Sequence, residues 1–459
     1  MNKLEFKATL SIALLYVVRM LGLFMILPVL SLLVDDLSMA TPFLIGLALG
    51  IYGLSQAVLQ IPMGLLSDRI GRKPVIVLGL LIFILGSLIA AYSENIYGII
   101  LGRFLQGCGA ISSTLLALLS DVTRVDNRSK AMAIIGMSIG ASFALALILG
   151  PWVNNLYGIG GIFLSTAIAG CIGIVVLYVC VPSPKILENV LGPTRLISKM
   201  KQVIRDPSLV RIALSVFALH FLLMSSFVAF PQVMQNTGEI SISDHHWVYL
   251  SVLVTTFVLM GPFMWLSDKR GMAKPMMISM IGFFILSAVT MSITANYYPV
   301  IVALVLFFMA FNLLEVVLPA FVSKIAPAGA RGAAMGIYST AQFGGAFFGG
   351  AIGGYTLGLG DISQLMYVNI ALCIVWILAA IGLPKLNNIK SMTYTLHENG
   401  DYCANSQLNA LLSIEGVVEA VLVEAEDVVY LKVDSDLLDK KALDKLKNDQ
   451  LLNAASKFG

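Results

Sequence analysis

Apolar runs long enough to cross a bilayer follow one another through most of this chain, broken only by short polar connections. They fall near residues 10–34, 43–66, 74–93, 96–120, 131–153 and 160–182, and again near 209–234, 246–267, 275–295, 298–323, 332–355 and 364–384. A helix needs about 20 apolar residues to cross the ~30 Å hydrocarbon core. In lipid every backbone polar group must be satisfied inside the protein, so such runs are helices. The expectation is an all-α membrane protein: twelve transmembrane helices in two six-helix halves, residues 1–182 and 209–385, joined by a linker at 183–208. Composition agrees, since 58% of the 459 residues are hydrophobic and 12% are charged.

Lysine and arginine decide the topology. Lys3 and Lys7, Arg69, Arg72 and Lys73, Arg124, Arg128 and Lys130, the cations from Lys185 to Arg211, Lys269, Arg270 and Lys274, Lys324 and Arg331, and Lys385 and Lys390 share one set of connections. The alternate set, with Asp35, Asp36, Glu94, Glu239 and Asp361, holds no lysine or arginine. This asymmetry puts both termini and the basic loops in the cytoplasm. Scattered cations with a net charge of +3 make no nucleic-acid surface. The five cysteines show no C-x-x-C and no histidine at ligand spacing, so no metal and no cofactor is expected. No nucleophile–base pairing and no G-x-x-x-x-G-K-[ST] appears, which argues against an enzyme and against an ATP-driven pump.

The connection Gly64-Leu-Leu-Ser-Asp68-Arg69-Ile-Gly71-Arg72-Lys73-Pro74 packs a carboxylate, three cations and two glycines between the second and third runs. Asp68 sits at the negative end of its helix dipole and needs a neutralising partner. Arg69, Arg72 and the positive N-terminus of another helix are the candidates. Asp121 ends the fourth run under the same constraint, with Arg128 following. Arg72 can serve both acids, so Asp68, Arg72 and Asp121 are expected to form a charge cluster that closes the cytoplasmic side in one conformation. Leu266-Ser-Asp268-Lys-Arg270-Gly271 echoes the loop 200 positions later, as expected for two related halves.

The pattern G-x-L-x-D-R-x-G-R-K resembles the loop signature of the major facilitator superfamily of secondary transporters. Arg103-Phe-Leu-Gln106-Gly-Cys-Gly-Ala110 resembles the fourth-helix signature of its proton-coupled members. The resemblance implies a bacterial inner-membrane transporter of the drug:proton antiporter type, working by alternating access on a proton gradient. In the fifth run the antiporter core G-x-x-x-G-P-x-x-G-G is matched only in part, because Ala146 and Asn154-Asn155 replace three of its glycines.

Ionisable groups inside spans are costly and so are functional candidates. Arg19, Arg103, His220 and Glu315 lie well inside the runs. Glu315, a carboxyl in a low-dielectric cavity, and His220, which titrates near neutrality, form the best proton-coupling pair. The structural alternatives are a histidine bonded to neighbouring backbone, a glutamate paired with Arg19 or Arg103, and an Arg103 that ties two helices together. Phe24, Gln56, Gln60, Gln106, Asn312, Tyr338 and Gln342 are the candidate lining of a substrate cavity. Aromatic and amide groups suit an amphipathic or cationic small molecule.

The linker stretch Arg195–Arg205 alternates cations with apolar residues at near-helical spacing, consistent with a short helix that bridges the halves or lies on the inner leaflet. Residues 391–459 are too polar to span. Their periodicity predicts strands at 392–396, 417–424 and 428–433, helices at 405–413 and 439–446, and a final strand near the end. This β-α-β-β-α order is that of a small α+β ferredoxin-like domain, placed in the cytoplasm, that can bind a small ligand or protein. Ile414–Val421 resembles the middle of a heavy-metal-associated domain without that family's C-x-x-C, so metal carriage is not implied. The alternative function is a transporter-derived membrane sensor reporting on what the tail binds.

Overall fold

The computed structural model describes residues 1–34, 37–182, 193–236, 239–267, 272–293, 296–327, 330–383, 389–395, 408–423, 428–434, 437–439 and 441–443. The second loop echo at 268–271 and the expected final strand lie outside these residues.

The first half comprises α1 (Lys3–Phe24), α2 (Pro42–Ile70), α3 (Arg72–Ala91), α4 (Ile96–Cys108), α5 (Ser112–Val122) and α6 (Val125–Cys180). The linker helix α7 (Pro193–Arg205) follows, packed against α8 (Pro207–Asn236) and α12 (Arg331–Leu359). The second half is completed by α9 (His245–Ser267), α10 (Ala273–Ile293), α11 (Tyr297–Ile325) and α13 (Ile362–Ile381). Ten helical stretches among the described residues are long and apolar enough to cross a membrane. One of them, Lys130–Cys180, folds back at Gly158, whose φ of +67° only glycine adopts without strain. Counting that reversal and the glycine-rich α12 as passes of their own brings the total to twelve.

Two expected spans differ from the sequence reading. The first was expected at 10–34, but α1 starts at Lys3, capped by Asn2, and ends at Phe24. A buried turn through Pro28 and a 3₁₀ turn at Leu30–Leu33 complete the crossing, because proline cannot donate to the helical ladder. The fourth was expected as one helix over 96–120, but it is broken between α4 and α5. A Cβ on Gly109 would overlap the Gly79 carbonyl, so the chain passes α3 too closely for any other residue. Side chains of α1 cover the exposed backbone: the Tyr16 hydroxyl donates to the Ser112 carbonyl at 2.5 Å and Arg19 Nη1 to the Gln106 carbonyl at 3.3 Å. Non-helical backbone at membrane depth persists only when buried and bonded in this way.

The internal repeat shows in the packing. Pro62 lies inside α2 and Pro262 inside α9, 200 positions apart. Lys73 donates to the Val181 carbonyl at the end of α6 at 2.7 Å, and Lys274 donates to the Leu383 carbonyl just past α13 at 2.8 Å. Each lysine closes the last helix of its own half, where the helix dipole favours a cation.

The bundle has a basic face, where the Asp68 loop and the ends of α6 and α13 lie, and an opposite face. Toward the opposite face α2 meets α12 backbone to backbone. A Cβ on Gly46 would overlap the Gly350 carbonyl, and one on Gly53 would stand 2.6 Å from the Phe343 carbonyl. Small residues permit this closeness between membrane helices. Toward that face hydrogen bonds join the halves, from Gln232 to the Ser31 carbonyl, from Ser31 to the Phe227 carbonyl and from Asn155 to the Ser243 carbonyl. Toward the basic face Gly136, Gly140, Gly261, Gly332 and Gly336 have nothing within 4 Å of an added Cβ. The halves touch at one end and part at the other.

Beyond α13 three strands, β1 (Ile389–Thr395), β2 (Val417–Val423) and β3 (Val428–Asp434), form an antiparallel sheet in the order β1-β3-β2. Its small core holds Leu411, Ile414, Val429, Leu431 and Val433.

Candidate functional site

Where the halves separate, α8, α11 and α12 bring His220, Glu315 and Gln342 together. His220 Nε2 lies 3.6 Å from a Glu315 carboxylate oxygen and 2.8 Å from Gln342 Nε2, while Gln342 donates to the other Glu315 oxygen at 3.3 Å. His220 Nδ1 faces the Val216 carbonyl at 3.2 Å, which leaves Nε2 as the acceptor from Gln342 when the ring is neutral. His220 is 5% exposed and the Glu315 side chain 26%, so the carboxylate is the member of the pair that the opening reaches. Asn312 Nδ2 and the Tyr338 hydroxyl are buried without hydrogen-bond partners among the described residues, as is one Glu315 oxygen. Together they are a set of donors and one anion that a polar ligand would satisfy.

An aromatic stack stands between this cluster and the closed face. Phe143 of α6 packs edge-on to Phe24 of α1 at 5.0 Å and against Phe311 of α11 at 5.2 Å, and Phe311 lies 5.9 Å from the His220 ring. All three phenylalanines are buried, and the stack joins the halves.

The first half holds two arginines in its interior. Arg103 is fully buried; it donates to the Gly22 carbonyl at 2.8 Å, to the Leu23 carbonyl and to Gln106 Oε1 at 3.0 Å. Arg19, 1% exposed, donates to Gln56 Oε1 at 2.7 Å, and Gln56 donates to Ser112 Oγ. Both guanidinium carbons stand over the Tyr52 ring, at 5.6 Å for Arg19 and 4.9 Å for Arg103. Among the described residues neither has a carboxylate partner, so the pairing of Glu315 with Arg19 or Arg103 is not found. Arg103 does tie α4 to the end of α1. Gln56 and Gln106 are occupied by these arginines and Phe24 by the stack, while Gln60 is buried with its amide oxygen unpaired.

At the basic face Arg72 lies between two acids. Its Nε donates to Asp121 at 3.0 Å, and its Nη1 pairs with Asp68 and reaches Ser67 Oγ at 2.8 Å. Gly71, at φ +97°, turns the chain between α2 and α3 so that Arg72 begins the new helix facing back at the old one. Gly64 faces Ser113 of α5, with an added Cβ 3.2 Å from its hydroxyl. Lys73 is committed to α6, Arg69 is exposed without an ion-pair partner among the described residues, and Arg128 stands half-buried in the first turn of α6. The cluster lies wholly within the first half, binding the end of α2 to the end of α5.

Tyr52 and Phe143 went unmarked by sequence reasoning. Tyr52 could have been found, because it lies one turn from Gln56 on the same face of α2. Phe143 could not: a phenylalanine in an apolar run carries no mark of which helix it meets.

The comparisons say which class of protein this fold belongs to. The Major Facilitator Superfamily model matches residues 12–235 and again 212–393, and the chain belongs to that family, whose members are transporters and not enzymes. It is 40% identical to the inner membrane transport protein YajR of Escherichia coli K12, over 95% of this chain and 96% of that protein. Multidrug resistance protein MdtH of Aeromonas salmonicida is 24% identical over 69% of the chain and 79% of its own length. A bacterial homologue of the lysosomal transporter Spinster, solved inward-facing and unoccupied, shares the fold at 14% identity with a TM-score of 0.60, covering 83% of this chain and 98% of that one. The chain is a multi-pass inner-membrane transporter.

Proposed function

We propose that the protein is a proton-coupled antiporter that expels small amphipathic or cationic organic molecules by alternating access, with the proton gradient as its energy source and no cofactor. The observation that carries the reading is the His220–Glu315–Gln342 cluster, set at the inner end of an opening and below an aromatic stack. By the positive-inside rule the basic face is cytoplasmic, as are both termini, so the arrangement described is open inward. A proton or a cationic solute then reaches Glu315 from one side at a time. Occupancy shifts the equilibrium only if the inward and outward states hold the proton with different affinity. The parting of His220 from Glu315 as α8 and α11 move is the natural source of that difference.

Asp68, Arg72 and Asp121 serve as the conformational latch. Arg72 neutralises Asp68 while the cytoplasmic side is open. Once that side closes, the uncovered N-terminus of α12 near Gly332 is the second partner its carboxylate needs. The strand order β1-β3-β2, with both neighbours antiparallel to β3 and helical residues between β1 and β2, supports the ferredoxin-like reading of the tail. The names of the relatives favour transport over sensing as the role of the bundle.

The test is reconstitution into vesicles carrying an imposed pH gradient and an internal pH-sensitive dye, followed by a panel of cationic, neutral and anionic amphiphiles. Solute-triggered proton movement confined to the cationic and neutral compounds is the expected result. Proton movement with no compound, or only with anions, would contradict the reading.

A further inference from the structure

Lys432 is an unusual residue for the strand of a small cytoplasmic domain, because its side chain is 7% exposed and its ammonium bridges its own sheet and a membrane helix. It donates to the Ile325 carbonyl at 3.1 Å and to the Ala326 carbonyl, the last acceptors of α11, and lies 3.3 Å from a carboxylate oxygen of Glu419 in β2. Strand β1 also lies against α11. A lysine on the carbonyl end of a long membrane helix meets both the unsatisfied acceptors and the negative pole of the dipole.

Comparison of the two halves gives the contact its meaning. In the first half Arg72 braces the end of span four through Asp121. The matching loop of the second half reads Gly271-Met-Ala-Lys274-Pro275 against Gly71-Arg-Lys73-Pro74, so it keeps the lysine and the proline and puts Met272 and Ala273 where the first half has Arg72. Span ten, α11, is braced at its end by the tail instead. Between that end and Glu315 lies Pro319, which has no N–H to offer the Glu315 carbonyl four residues earlier. The helix is therefore hinged directly below the candidate proton site, and its lower segment is the piece that Lys432 holds.

We propose that the C-terminal domain is a built-in brace for the second half, in which Lys432 fixes the segment of α11 below Pro319 and so regulates how freely Glu315 and the cytoplasmic mouth move. Detaching the domain releases that segment. The geometry stands apart from the choice of transported solute and from proton coupling, and its test reads backbone opening alone.

Hydrogen exchange on the full-length protein in lipid nanodiscs measures it. Lys432→Ala is expected to speed exchange of residues 320–327 at least tenfold while 417–423 and 428–434 stay protected; unchanged exchange at 320–327 would overturn the proposal. Where the substitution unfolds the sheet, a cysteine pair at positions 326 and 432, in a chain with its native cysteines replaced, is joined by a bifunctional thiol reagent about as long as the lysine side chain, since a direct disulfide is too short to span that reach. The cross-linked form should exchange 320–325 at least tenfold more slowly than the same protein left unlinked. Equal exchange in both forms, or no cross-link with reagents of any length, would overturn it.

Discussion

Glu315→Gln is expected to reduce solute-triggered proton movement by roughly 100-fold, a change of about 2.7 kcal/mol in the effective barrier. The amide keeps the size of the carboxyl and can still accept from Gln342, so the packing around His220 and Phe311 survives. It cannot take up a proton or carry a negative charge at any working pH. Among the described residues no other carboxylate lines this part of the opening, so no neighbour can substitute. Solute binding to the detergent-solubilised variant separates the roles: retained binding with lost proton movement identifies Glu315 as the coupling group. Wild-type proton movement in the variant would remove Glu315 from the mechanism.

Arg72→Ala should have the second largest effect. The guanidinium pairs with both Asp68 and Asp121, and its loss leaves two carboxylates facing each other at the membrane edge. Breaking a buried pair costs about 3–5 kcal/mol, and with the acids 24% and 19% exposed a smaller ~1–3 kcal/mol applies. A shift of that size changes the balance of inward and outward states by roughly tenfold or more. Transport should fall accordingly at an unchanged amount of protein in the membrane. Arg72→Lys should recover only part of it, since an ammonium cannot fork between two acids and Ser67. Wild-type rates in Arg72→Ala would show the cluster to be dispensable.

The parts of the molecule that lipid dictates were legible in the sequence. Span limits near Pro42, Asp361 and Ile381 follow from hydrophobic length and capping, and the acids at 68 and 121 announced their need for a cation by sitting at helix C-termini. The break at Gly109 was hidden because a glycine in a signature reads equally as close packing within a continuous helix. The arginines at 19 and 103 were marked as buried, but which carbonyls and amides would hold them depends on how α1, α2 and α4 cross. Gly46 and Gly350 show the same limit, since a small residue announces a close approach and not its partner. Lys432 gave no signal at all: it reads as one more outward residue in an alternating strand, and only the docked tail shows its target.

The claim beneath all of this is that the two halves move as bodies, so that one face opens as the other shuts. Spin labels at Ile70 and Val210 report on the basic face, and labels at Tyr92 and Tyr298 on the opposite face, at positions that are all exposed. Pulsed distance measurement in nanodiscs, on acidification through the carboxyl and imidazole range, should find one distance shortening as the other lengthens. Distances that change in the same direction, or that do not change at either face, would contradict it.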